Sequence, residues 1–347
     1  MAFFGVTKEV IASTFAIENA DAIEAATLLG STFEFVIKKG QFNKGDSVLY
    51  FPIDSLIPES VLEKLGLVGK LSGKQKNRVK TVRLRGQISQ GIVTGLELLD
   101  GMPESEIITE FLGVEKYEQP IIPCQNAELI SLPIGLSVYD IEGADRYVDV
   151  AEILLPQLVE ITEKIEGQNF SVTYSVLDDK IYVNQRKYSI KPLEGEVHDF
   201  WKVAEDKGFI AFVESLKVSN PGKNITVYGE FIGPRVQSNI YKLKGFEVKL
   251  FDIKINEKWL APDIRSSIIE QYFGNLDMHV PILATNVILK QWLNGKSIVE
   301  ASHGISQLHK TRREGIVIKP MTEDRHKKIG RLVLKQRDPV YLSKTNN

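Results

Sequence analysis

Val159-Glu160-Ile161-Thr162-Glu163-Lys164, continued by Ile165-Glu166-Gly167, sets a lysine at a strand end immediately before a glycine turn, with carboxylates on both sides. A lysine amine has a pKa of about 10.4 and is protonated at neutral pH, so a nucleophilic lysine needs desolvation or nearby positive charge to free its lone pair. Lys164 is therefore a candidate covalent nucleophile. Its plainer reading is a surface lysine in a turn, and the segments that follow it along the chain decide between the two.

Those segments come in a fixed order. Ile181-Tyr182-Val183-Asn184-Gln185-Arg186-Lys187 reads as a strand ending in an arginine, and Val227-Tyr228-Gly229-Glu230-Phe231-Ile232-Gly233-Pro234 is followed by Gln237, Asn239 and Tyr241. Phe246-Glu247-Val248-Lys249-Leu250-Phe251-Asp252-Ile253, then Arg313-Glu314-Gly315-Ile316-Val317-Ile318-Lys319-Pro320, then Leu332-Val333-Leu334-Lys335 complete the set. The first pentad resembles motif I of the covalent nucleotidyltransferases, with Glu166 where Asp is usual, and the later segments resemble motifs III, IIIa, IV and V. The arrangement is similar to an ATP-dependent RNA ligase of the fifth family, which joins an N-terminal OB domain to a C-terminal nucleotidyltransferase domain. DNA ligases and capping enzymes append an OB domain after motif V. The 12 residues that follow Lys335 leave no room for one, so both are disfavoured.

The resemblance implies that Lys164 carries AMP from ATP. Lys319 and Lys335 would neutralise phosphate charge and, as like charges, disfavour the ammonium form of Lys164. Glu166, Glu230 and Glu314 are suited to gripping the waters of a hydrated Mg²⁺ or Mn²⁺, an ion that dehydrates reluctantly. The extra methylene of Glu166 is tolerable if that contact runs through water. Glu163 resembles an acid that reads the adenine amino group, or else is a structural partner. Arg186 offers a bidentate fork to ribose or phosphate. Phe251 would stack on adenine, with core packing as the competing reading; strand parity puts it on the face of Lys249 and Ile253 and opposite Val248 and Leu250. In motif V the usual second lysine is missing, since Val333 and Arg337 flank Lys335 at that spacing.

A chain of 347 residues, 43% hydrophobic and 25% charged, has the size and composition of two ordinary globular domains. One cysteine, Cys124, leaves no internal disulfide and fits a reducing cytoplasm. The five histidines lack metal-ligand spacing, and no signal peptide or stretch of 18 apolar residues is present. A net charge of −2 argues against a uniformly basic coat, so RNA contact must be local.

The expected fold class is α+β, with an OB-like β-barrel at 1–125 and an antiparallel-sheet, ATP-grasp-like adenylyltransferase domain at 126–347. In the first unit Phe33, Phe35 and Ile37 alternate with polar residues, Val48 to Ile53 reads as the next strand, and a short helical insert falls near Glu59 to Leu65. Arg83-Leu84-Arg85-Gly86-Gln87-Ile88-Ser89-Gln90-Gly91 looks like a tRNA-binding OB signature. From Lys70 to Arg85 there are seven basic residues and no acid, so Lys74, Lys76, Arg78, Lys80, Arg83 and Arg85 are expected to bind RNA by counterion release. Pro103, Pro120, Pro123 and Pro133 mark the connection. Beyond it, Val172 to Val176 and Lys180 to Val183 form a hairpin at Asp178-Asp179, and Val197 to Leu216, Ile264 to Tyr272 and Ala284 to Leu293 carry helical spacing. The tail from Ser343 to Asn347 is expected to fray. The ATP chemistry is expected after residue 160 and RNA binding before it. The partner is RNA with 5′-phosphate and 3′-OH ends, with no membrane and no obligatory protein partner. The alternative is a tRNA-binding OB module fused to a degenerate, non-catalytic nucleotidyltransferase fold.

Overall fold

The computed structural model describes residues 3–118 and 126–344. Cys124, Pro120, Pro123, the 125/126 boundary and the last three residues of the expected frayed tail lie outside them. The first unit is a five-stranded antiparallel sheet in the order Glu34–Lys38, Ile23–Leu28, Thr7–Ala16, Ser47–Phe51, Ile92–Thr94. The long strand Thr7–Ala16 shifts register between Ile11 and Ser13, so its two halves pair with different neighbours and the sheet curls. Its ends nearly meet, because Gln90 N donates to Glu34 O at 2.8 Å and Val36 N to Ser89 Oγ at 3.1 Å. The Ser89-Gln90 half of the OB signature therefore holds the barrel shut around Phe35, Ile37, Val48 and Tyr50. Its Arg83-Leu84-Arg85 half is an exposed hairpin. The helix Glu59–Leu65 forms where expected and packs under the barrel with Leu49, Phe51 and Ile57.

Two further sheets follow. The larger runs Ala127–Ser131, Tyr188–Pro192, Lys180–Asn184, Gln168–Ser175, Ile225–Ile232, Glu247–Ile255, Lys258–Trp259 and is antiparallel throughout. The smaller runs Glu142–Gly143, Leu334–Arg337, Gly315–Pro320, Leu158–Lys164, Ile282–Ile288, with only its first pair parallel. Phe170, Val172, Val227 and Leu250 on the outer face of the larger sheet bury against Phe200, Phe209 and Phe212. Val159, Ile161, Ile316 and Ile318 do the same for the smaller sheet against Val150, Leu154 and Leu289. With apolar residues committed outward, the alternate residues of both sheets are left to face one another. The fold is α+β, as expected.

Two helical expectations are corrected. The span Val197 to Leu216 is two helices, Asp199–Asp206 and Phe209–Ser219, separated where Gly208 takes a left-handed φ of 76°. The first half of Ala284 to Leu293 belongs to the strand Ile282–Ile288, and only Leu289 to Leu293 is helix. Pairing with the exposed edge of Leu158–Lys164 overrides a pattern too short to fix its period, and Thr285, Val287 and Ile288 are β-branched. No described helix is long and apolar enough to cross a membrane.

Candidate active site

The facing sheets enclose a cavity of ≈ 1030 Å³. Lys164 ends the strand Leu158–Lys164, and its parity mates Glu160 and Thr162 point inward with it while Val159 and Ile161 enter the outer core. Across the ladder Lys164 pairs with Gly315 and Gly315 with Arg337, and the neighbouring inward row runs from Thr162 through Val317 to Lys335. Gly167 must be glycine: a Cβ there would lie 2.5 Å from Phe231 O and 2.7 Å from Glu230 Cγ. This close approach brings Glu230 beside the nucleophile.

Lys164 Nζ lies 2.7 Å from Glu314 Oε1. Burial raises the pKa of Glu166, whose Oε1 accepts from Ser238 N at 3.0 Å, with Glu314 adding to the rise. Burial pushes Glu230 up to about 8, with Lys164 opposing and Glu314 reinforcing. The three carboxylates thus surround one amine. Among the described residues no group of three or more His, Cys, Asp or Glu side chains is placed to hold a metal ion. Three carboxylates too far apart for direct ligation would meet a divalent ion through its waters.

The raised Glu230 pKa has a measurable consequence. A carboxyl whose folded-state pKa exceeds its ordinary value gives stability that is complete below that ordinary value and is lost as pH climbs through about 8. Glu230→Gln stays neutral. Without added nucleotide or divalent metal, its melting temperature should exceed that of wild type at pH 8, and the gap should close toward pH 5. Scanning calorimetry at both values reads this, and a gap independent of pH would refute it.

Lys335 faces the cavity, its pKa brought down to about 8 by burial and then by Arg337, Lys164 and Arg186, with Asp140 opposing. Arg337 shares its strand face and lines the same cavity, filling the place that motif V left open. Val333 is 1% exposed and belongs to the core. Lys319 lines the same cavity. Its ammonium donates to Phe251 O at 2.6 Å and to Asp252 Oδ2 at 3.0 Å, and burial brings its pKa down to about 8. Its ammonium is 5.9 Å from the centre of the Phe251 ring and shares Asp252 with Arg331. Arg186 lines the cavity and pairs with Asp140 at 2.9 Å.

The parity expected for Phe251 is corrected. The ladder between Ile225–Ile232 and Glu247–Ile255 matches Tyr228 with Asp252 but Gly229 with Leu250, so Phe251 is the extra residue of a β-bulge. Beyond the bulge Ile253 joins Leu250 in the outer core, and Phe251 is not on its face. Phe251 packs with Ile165 and Val280 on the cavity side, 5.0 Å from the Tyr139 ring. Asp252, also turned inward, accepts from Lys319, Arg331 and Tyr139. Glu163 is 1% exposed; Oε2 accepts from Gln307 N at 2.9 Å, while Oε1 is buried without a partner among the described residues. An unsatisfied buried carboxylate oxygen is costly and suits a ligand donor.

The basic run splits. Lys74, Lys76, Arg83 and Arg85 are exposed. Arg78 is corrected from RNA contact to internal strut, since it pairs with Asp54 at 2.7 Å and lies 3.4 Å over the Tyr117 ring. Lys80 lines the catalytic cavity together with other residues before 119, so the cavity is not built only from residues after 160.

The comparisons agree with this geometry. The RNA ligase family matches residues 157–336 and an OB-fold domain family matches residues 6–96. The chain belongs to the RNA ligase family. The family match spans Lys164 and every motif segment after it. Solved structures of Naegleria gruberi RNA ligase are similar along the whole chain. A variant with ATP and Mn has 29% identity over 99% of each chain and a TM-score of 0.80. The enzyme with PPi has 29% identity over 98% of each chain and a TM-score of 0.79, and a variant with AMP and Mn has 29% identity over 99% of each and a TM-score of 0.79. No curated protein sequence matches at a significant level.

Sequence reasoning missed Tyr139, Asp140 and Arg331, which reach the site from segments outside the motifs, and gave no role to Asp252, which stands inside the Phe246–Ile253 segment. Gln237 and Tyr241, noted only as family-like, brace the nucleophile turn: Gln237 Nε2 donates to Gly167 O at 3.3 Å and the Tyr241 hydroxyl accepts from Glu166 N at 2.7 Å.

Proposed function

We propose that this chain seals 3′-OH/5′-phosphate RNA ends, at nicks in duplexes, through lysyl-AMP and RNA-adenylate intermediates as an RNA repair enzyme of the cytoplasm. The observation that carries the reading is the Lys164 amine, 2.7 Å from Glu314 and facing Glu166 and Glu230 in one cavity. Lys164 Nζ attacks the α-phosphorus of ATP; a P–N bond forms, the bond to the bridging oxygen breaks, and pyrophosphate leaves. An oxygen of the RNA 5′-phosphate then attacks the same phosphorus, and the P–N bond breaks to return the amine. The 3′-OH attacks the adenylated 5′-phosphate, forming the phosphodiester and releasing AMP.

Phe251 stacks on adenine, Glu163 Oε1 takes its amino group, Arg186 holds ribose or phosphate, and Lys335 with Lys319 and Arg337 neutralises phosphate oxygens. Glu166, Glu230 and Glu314 would hold a hydrated Mg²⁺ or Mn²⁺, which supplies further charge neutralisation at the α-phosphate. Residues 1–125 act as an RNA-binding domain through Lys74, Lys76, Arg83 and Arg85, and 126–347 as the adenylyltransferase. Incubation with α-labelled ATP and Mn²⁺ should give labelled protein on a denaturing gel, and a nicked duplex with an RNA 5′-phosphate should discharge that label and be sealed. Protein that takes up no label would instead be a binding module with a degenerate catalytic fold.

A further inference from the structure

One wall of the cavity is not supplied by the ligase motifs. Asp54, Arg78, Lys80, Thr81 and Tyr117, all from the N-terminal unit, line the same cavity as Lys335 and Arg337. Thr81 is 7% exposed, and its hydroxyl is buried with no hydrogen-bond partner among the described residues. A hydroxyl denied both water and protein partners is destabilising unless a ligand completes it. Lys80, the next residue in the chain, is half-buried in the same wall, with Arg78 close enough to repel its charge. Asp54 pairs with Arg78 and also attracts Lys80, and Glu118 pairs with Lys187. An ammonium and a hydroxyl from consecutive residues thus enter the cavity lining, with the Arg78 guanidinium near them. That combination of positive charge and short donors suits the oxygens of a phosphate.

We propose that the OB-fold unit supplies a phosphate subsite to the catalytic cavity, with Lys80 and the Thr81 hydroxyl as its donors. The phosphate arrives either on the nucleotide or on the 5′ end of RNA; naming those two sources rests on the reading above, whereas the subsite itself does not. The subsite makes the N-terminal unit part of the reaction chamber as well as a docking surface.

Calorimetric binding with full-length protein tests this without turnover. The probes are inorganic pyrophosphate, a 5′-phosphorylated RNA oligonucleotide, and the same oligonucleotide with a 5′-OH. Lys80→Met and Thr81→Val should each weaken one phosphate probe by about five- to tenfold. Loss on pyrophosphate assigns the subsite to the nucleotide. Loss on the phosphorylated oligonucleotide, with the 5′-OH strand unaffected, assigns it to RNA. Thr81→Ser keeps the donor and should bind as wild type; if it binds as poorly as Thr81→Val, packing and not the hydroxyl is at work and the assignment falls. It falls equally if both variants bind both probes as tightly as wild type. Absence of covalent labelling in wild-type protein would overturn the ligase reading and leave these binding results standing.

Discussion

Lys164→Ala should form no covalent AMP adduct at any metal or ATP concentration, while still binding ATP. The side chain ends the strand Leu158–Lys164 with its amine 2.7 Å from Glu314, and the lysines nearest to taking its place are spoken for. Lys319 is bonded to Phe251 O and Asp252. Lys335 lies two strands away in the row through Val317 and is paired with Asp140 at 3.7 Å. Without a nucleophile no rate remains to be measured, so the effect exceeds any loss from misplaced charge. Denaturing gels after incubation with α-labelled ATP and Mn²⁺ read the result directly. Sealing of a strand already carrying a 5′-adenylate should survive in the same variant, because that step no longer needs the amine. Label retained by the alanine variant would remove Lys164 from the mechanism.

How much of this site could be seen in the sequence depends on how local each cause is. The order of the motif segments brings Lys164, Glu166, Glu230, Phe251, Glu314 and Lys335 around one cavity, and strand periodicity alone aims the inward residues of Leu158–Lys164. Periodicity fails at Phe251. A single inserted residue flips every side chain beyond it, and nothing in Leu250-Phe251-Asp252 announces that its partner strand skips a position. Composition fails at Arg78 for a different reason. The acid-free run looked uniformly available, but Asp54 and Tyr117 reach it from 24 and 39 residues away. Asp140 is the clearest case of the same limit: it lies before the first motif in the chain, yet it pairs with both Arg186 and Lys335. Pairing at such distances is set by the sheets, and only the folded chain shows it.

Glu314→Ala and Glu230→Ala should each slow lysine adenylylation about a hundredfold at saturating ATP and metal, corresponding to roughly 3 kcal/mol of lost transition-state stabilisation. For Glu314 two effects of opposite sign compete. Its carboxylate accepts from the Lys164 ammonium, so removing it eases loss of the proton that blocks attack, and on this ground alone the variant would be faster. On the proposed reading it is also one of the three carboxylates that would hold a hydrated divalent ion, and on that ground the variant is slower. The second effect should win. The amine keeps its place at the end of the strand Leu158–Lys164 whether or not Glu314 is present, so little is gained by its release. Among the described residues the amine pairs with Glu314 and not with Glu230, which feels Lys164 only as a nearby charge, so the Glu230 variant weighs the metal effect more heavily. Single-turnover rates measured across a Mn²⁺ titration separate the two: the midpoint should move to higher metal in both variants, with the saturated rate still low. A Glu314→Ala rate equal to or above wild type would make that carboxylate a restraint on the nucleophile and not a part of the metal site.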